Sequence, residues 1–102
     1  MNEKIADLCR LISHGVYVIG VRNDETTNAF SAAWVMQVSF DPVMLALSIN
    51  PEHNSYRMLE AGRCCTVNVL GRDQMAIAEH FGRSVPDKMT GYAWQQAKTG
   101  AP

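Results

Sequence analysis

The side chains able to do chemistry are few and scattered. His14, His53 and His80 lie far apart, and no Cys/His spacing makes them a metal set. Each is expected at the surface or at a helix cap. No G-x-S-x-G, H-E-x-x-H, P-loop or dinucleotide-binding G-x-G-x-x-G occurs, so no catalytic residue is assigned and no metal is expected. Cys9, Cys64 and Cys65 form no disulfide framework. Neighbours on a strand point to opposite faces, so Cys64 and Cys65 cannot easily share a metal or a normal disulfide. Reduced, structural thiols in a reducing compartment are expected. The position with the clearest physical role is Ser55, in the first turn of an expected helix. Free backbone N–H groups and the positive end of the dipole favour an anion there. Arg57 or Arg83 can add a charge-assisted bond to such an anion. The structural counterparts stay open: Asn54 or Ser55 as a plain cap, and Arg83 as a solvated charge.

These residues need elements to position them. Ile5, Leu8, Cys9 and Ile12 follow the spacing of an amphipathic helix, with Gly15 placed to end it. Residues 16–21 are a β-branched run bounded by glycine and read as a buried strand. Residues 23–28 form a polar turn, and a second strand spans about 29–38, broken by Asp41-Pro42. Residues 43–49 are nearly all apolar and read as a third strand covered on both faces. A helix over about 54–61 closes at Gly62, and 64–70 is a fourth strand. Asp73 looks like the N-cap of a helix over 74–81, with Gly82 as its end signal. Beyond Arg83 the periodicity fades. The fold class is mainly β with peripheral helices, in a mainly antiparallel sheet. Four strands leave two open edges, which something must cover.

A chain of 102 residues points to one domain, residues 1–102, burying roughly two-thirds of its unfolded surface. The net charge of −1 argues against nucleic-acid binding, which needs clustered Lys and Arg. No stretch is apolar and long enough to cross a bilayer. Met1-Asn2-Glu3-Lys4 opens into a helical pattern without a signal-peptide core. A cytoplasmic protein is expected.

Several phrases follow one another in a telling order. Asn28-Ala29-Phe30-Ser31-Ala32-Ala33-Trp34 runs into Val35-Met36-Gln37-Val38-Ser39-Phe40-Asp41-Pro42. Ser48-Ile49-Asn50 and His53-Asn54-Ser55-Tyr56 follow, then Gly62-Arg63-Cys64-Cys65-Thr66-Val67-Asn68-Val69-Leu70. Ala78-Glu79-His80-Phe81-Gly82 and Asp87-Lys88-Met89 close the set. Together they resemble the flavin reductase-like domain family, an FMN-binding split β-barrel. The likeness covers about residues 8–102 and is most specific over 28–42.

The resemblance implies a set of contacts. The strand matching 28–38 would run beside the isoalloxazine ring, its backbone bonding the pyrimidine edge. Small residues Ser31, Ala32 and Ala33 would let that backbone approach, and Ser31 adds a hydroxyl. Trp34 departs from the small polar residue of many relatives and would border the flavin or simply pack. Gln37 and Ser39 continue the same phrase. The loop from Asn50 through Ser55 to Tyr56 would hold the ribityl chain and phosphate, with Arg83 favoured over Arg57 as its cationic partner. Close strand packing, a turn at Asn50-Pro51 and a core role for Phe81 explain the same residues without a ligand.

The implied activity is hydride transfer from NAD(P)H to FMN, with FAD as the alternative flavin. Reduced flavin would then serve an oxygenase or another acceptor. Two other readings stand beside it: an FMN electron-transfer module, and a short oligomeric fragment that binds no flavin. Relatives continue with strands that close the barrel. This chain is therefore expected to be C-terminally truncated, its barrel partial or completed by a partner chain in a homodimer or higher homo-oligomer.

Overall fold

β1 (Tyr17–Asn23) is the strand on which both layers of the core meet. Its side chains alternate, as a strand requires. Val18 faces one side, where it packs with Ala29 and Phe81. Ile19 and Val21 face the other, fully buried against Met58. The computed structural model describes residues 3–83 and 88–102; Met1-Asn2 and Asp87 of the phrases above lie outside the described residues.

β1 is the centre of a three-stranded antiparallel sheet, flanked by β2 (Thr26–Ala32) and β5 (Cys65–Val69). The register runs from Tyr17 opposite Ala32 to Asn23 opposite Thr26 on one side. On the other it runs from Tyr17 opposite Val69 to Val21 opposite Cys65. β3 (Val35–Phe40) and β4 (Val43–Leu47) form a separate two-stranded sheet. α2 (Asn54–Gly62) covers the Ile19 face of β1. α3 (Met75–Phe81), entered through a 3-10 turn at Arg72–Gln74, covers the Val18 face, and α1 (Glu3–Cys9) precedes them all. The fold is thus mainly β with peripheral helices, as the sequence indicates.

Several boundaries differ from the sequence reading, each for a physical reason. The run over 29–38 is two strands, since β2 stops at Ala32 and β3 starts at Val35 in the other sheet. A two-residue break between strands of like composition leaves the apolar pattern intact. β4 is not covered on both faces: Val43 and Met44 are more than half exposed. The turn over 23–28 contracts to Asp24 and Glu25, with Asp24 in the left-handed region that aspartate tolerates. α1 ends at Cys9 rather than at Gly15. None of its residues is buried, so its apolar stripe has nothing to pack on that would extend a short helix.

The helix ends also differ in detail. Arg63, not Gly62, takes the left-handed position after α2, donating its N–H to the Leu59 carbonyl at 2.8 Å. Gly62 serves packing instead, because a methyl group there would collide with the Arg22 carbonyl of β1. Asp73 lies inside the 3-10 turn and is no cap. The Gln74 side chain accepts the Gly71 N–H at 2.8 Å. Gly82 follows α3 with φ −80°, outside the left-handed region.

The aperiodic end of the chain is nonetheless packed. Ala101 is fully buried, and Thr66 Oγ1 donates to the Pro102 carbonyl. Gly20 of β1 has no side chain because that carbonyl lies against it.

Gly62→Ala is expected to lower stability by about 1–3 kcal/mol, the usual cost of forcing a methyl into a packed contact. Urea denaturation checks this; an unchanged midpoint would mean that α2 can move off β1 freely.

Candidate functional site

β2 is an edge strand: β1 pairs with one side of it, and among the described residues no strand pairs with the other. Edge strands present unpaired N–H and C=O groups in a row. Its alternation sends Asn28 toward α2 and Ser31 toward α3, and both are tied down. Asn28 Nδ2 donates to Ser55 Oγ at 3.1 Å, and Ser31 Oγ donates to the Ala78 carbonyl at 2.5 Å. Two helices are thereby anchored on opposite faces of one strand.

Between them lies a cleft of about 650 Å³, within the range of small-molecule sites. Residues 26–28, Phe30 and Ser31 of β2 line one wall. Residues 52–55 and Met58 bring in the start of α2; Phe81, Gly82 and Arg83 follow α3. Lys88, Met89 and Thr90 complete the lining.

The α2 end of the cleft suits an anion. His53 occupies the N-cap position, but no side chain caps the helix. Tyr56 N–H donates to the His53 carbonyl at 3.1 Å, which leaves the Asn54 and Ser55 N–H groups at the start of this nine-residue helix to meet a ligand. Ser55 is buried, and its oxygen already accepts from Asn28, so its hydroxyl hydrogen is free to donate. Asn50 shapes the approach, its Oδ1 accepting the Glu52 N–H at 3.0 Å.

Lys88 lies in the same cleft at 7% exposure. Its Nζ donates to the Phe81 carbonyl at 3.3 Å. Its carbonyl accepts from His80 Nε2 at 2.6 Å. The His80 ring in turn lies 4.8 Å from Phe81, edge-on, and 4.5 Å from Tyr92. Burial pushes the Lys88 ammonium below the usual lysine range, because desolvation disfavours the charged form. Among the described residues, the acceptor that this buried cation finds is the neutral Phe81 carbonyl.

Of the residues singled out from sequence, Ser31, Ser55 and Arg83 line the cleft. Ala32 ends β2, and Ala33 and Trp34 carry the chain out to the hairpin, where Trp34 is 65% exposed. Gln37 and Ser39 lie on β3, Gln37 Nε2 donating to the Ser39 carbonyl at 3.2 Å. Tyr56 follows Ser55 on α2; a hydrogen bond to Glu60, and that carboxylate's charge, raise its phenol above the usual value. The structure adds Asn28, Phe30, Met58 and Lys88. Asn28 and Lys88 were visible within motifs but carried no role, because burial and cross-chain bonds have no local sequence signature. Among the described residues no group of His, Cys, Asp and Glu could hold a metal ion. The three cysteines are free, and burial raises the Cys65 thiol, with Cys64 adding to the effect.

Fold and cleft together define a mainly antiparallel-sheet protein with a cleft of mixed polar and apolar lining beside β2. More particularly, the chain belongs to the family described as flavin reductase like domain, whose model matches residues 9–102. It is 30% identical over 89 residues to the reductase subunit HsaB of a flavin-dependent monooxygenase from Mycobacterium tuberculosis, covering 86% of this chain and 47% of that one. It is 28% identical over 95 residues to diflavin flavoprotein A 1 of Synechocystis, covering 89% of this chain and 17% of that one. The chain thus spans under half the length of both relatives. The structure of the NADH:FAD oxidoreductase SgcE6 from Streptomyces globisporus superposes with a TM-score of 0.86 at 23% identity. That match covers all of this chain and 64% of the other, and it shows a shared split-barrel fold, of which this chain is a part. No described helix is long and apolar enough to cross a membrane.

Lys88→Met is expected to leave the ligand-free protein as stable as the parent at neutral pH, or about 1 kcal/mol more stable, since it removes a desolvated charge. The lowered folded-state pKa means that the unfolded chain holds the proton more tightly. The parent's deficit is therefore full at neutral pH and shrinks as pH rises through the folded value toward 10.5. Urea melts of both proteins at several pH values check this. A variant destabilised by about 2 kcal/mol at neutral pH would show instead that the ammonium holds the fold together.

Proposed function

We propose that this chain is the flavin-binding part of an NAD(P)H-dependent flavin reductase that takes FMN in the cleft beside β2. The observation that carries the reading is the open edge of β2 between an uncapped helix start and a buried lysine. The residues present fit the cofactor. Backbone groups on the β2 edge match a heteroaromatic rim that both donates and accepts. The α2 N-terminus, Ser55 and Lys88 form a donor set for a phosphate, with Arg83 at the mouth. Phe30, Met58 and Phe81 supply apolar wall that excludes water from the ring. FAD is the alternative flavin, sharing the same ring and a phosphate at the same distance from it.

A bound flavin supplies the redox chemistry, accepting a hydride from NAD(P)H and passing electrons on. The chain's task is to orient and shield, which fits the lack of a catalytic acid–base signature. The relative named as a monooxygenase reductase subunit supports an oxygenase as the acceptor. Ala32, Ala33 and Trp34 would border the ring as β2 runs out, with Gln37, Ser39, Asn50 and Tyr56 further from its centre. The reading also takes residues 1–102 as one domain, working as a homodimer in a reducing cytoplasm. A second reading, an electron-transfer module that never meets a nicotinamide, draws support from the likeness to a diflavin flavoprotein.

The protein is expected to bind FMN with a flavin absorption spectrum and to oxidise NADH or NADPH over many turnovers in its presence. Spectra of the desalted complex and nicotinamide absorbance check both. No turnover by a flavin-loaded sample would sink the reductase and leave the electron-transfer reading. A sample that never retains flavin would sink both.

A further inference from the structure

We propose that His80 is a positioning residue: through the Lys88 carbonyl it holds the Lys88 ammonium in the cleft, and so sets how strongly a phosphate-bearing flavin is preferred over one without. The inference rests on the phosphate reading given above and deepens it, since His80 itself does not line the cleft.

Lys88 lies outside any helix or strand, so no ladder fixes its backbone. Two bonds to the last turn of α3 do so instead. Lys88 Nζ donates to the Phe81 carbonyl at 3.3 Å, and His80 Nε2 meets the Lys88 carbonyl at 2.6 Å. A carbonyl can only accept, so Nε2 is the donor. Adjacent residues of one helix thus grip Lys88 twice, once by its main chain and once by its side chain. The two bonds are unequal: the first is long for an N–H···O bond and the second short. His80 provides the firmer half of the grip.

The imidazole is itself held. It meets Phe81 edge-on with ring centres 4.8 Å apart, and Tyr92 at 4.5 Å with the planes 32° apart. Phe81 and Tyr92 are 5.2 Å from one another, and Phe81 is buried with Val18 and Ala29. The orientation of the ring is therefore referred to the core and not to the surface.

Such a grip matters because the ammonium is drawn toward water. A lysine stem is flexible and its head strongly hydrated, and burial disfavours the charged form at this position. Arg83, the neighbouring cation of the lining, is already exposed. Releasing the Lys88 backbone lets its head follow, and the cleft loses its buried cation. A histidine that only supported the fold would affect every ligand alike. One that positions Lys88 affects the ligand that carries the anion.

Fluorescence titration with FMN and with riboflavin tests this on the parent and four variants. The parent is expected to prefer FMN at least about tenfold, roughly what one hydrogen bond to a charged group contributes. His80→Phe keeps an aromatic ring against Phe81 and Tyr92 but has no N–H to give. Its preference is expected to fall toward one through loss of FMN affinity. His80→Gln offers an N–H at similar reach and is expected to recover most of the preference. His80→Phe with Lys88→Met is expected to match Lys88→Met alone. A parent without preference removes the phosphate reading and this proposal with it. A parent preference that persists in folded His80→Phe overturns the role of His80 and leaves the phosphate reading standing. Equal loss of affinity for both flavins makes His80 a structural residue and overturns it too, as does a further fall in the double variant. Should His80→Phe fail to fold by circular dichroism, nuclear magnetic resonance of the parent with 15N-labelled histidine decides. The His80 Nε2 signal, assigned through its contacts with Tyr92, is expected to shift on adding FMN and not on adding riboflavin. A shift common to both flavins, or none, overturns the proposal.

Discussion

The structure depends on one strand being paired on a single edge. β2 gives one edge to β1 and fastens a helix to each face through Asn28–Ser55 and Ser31–Ala78. Its other edge is left as the wall of a cleft. Had a further strand covered it, the backbone groups would be consumed in a ladder and the cleft would not exist. The two side-chain bonds also fix how far apart the helices stand, and so the width available to a flat ring. Ser31 illustrates the division of labour. Its proton is committed to the Ala78 carbonyl, so toward a ligand the hydroxyl oxygen can only accept.

The second constraint is a conflict between stability and binding. Lys88 is held in a desolvated position by the Phe81 carbonyl, while His80 and Tyr92 fix the backbone beneath it. Without an anion the arrangement is unfavourable, and with a phosphate the same desolvation strengthens the attraction. An uncapped helix start follows the same logic, since a cap would satisfy the N–H groups that a ligand needs. Local rules are broken here where function would require it.

Much of the fold was legible in the sequence because it rests on local pattern. The β-branched run at β1, the nearly all-apolar run at β4 and the helix-end signals at Gly62 and Gly82 gave the order of elements. What pattern cannot carry is sheet membership. Residues 29–38 read as one strand because the break at Ala33 and Trp34 is as short and apolar as its surroundings. β4 read as doubly covered because apolar composition implies burial in a finished assembly, and this hairpin stands clear of the core. Of the cleft's lining, Ser55 was singled out by helix physics and Arg83 by the family resemblance. Asn28 and Lys88 were not, because their roles arise from a bond across 27 residues and from burial in a segment without periodicity.

The central claim is that the α2 N-terminus, Ser55 and Lys88 hold the phosphate of a flavin whose ring lies on the β2 edge. Fluorescence titration with FMN and with riboflavin, which lacks only the phosphate, tests it directly. The account predicts FMN binding at least tenfold tighter than riboflavin in the parent, with that ratio collapsing toward one in Lys88→Met. Equal affinity of the parent for the two flavins, or a ratio unchanged by the substitution, would contradict it.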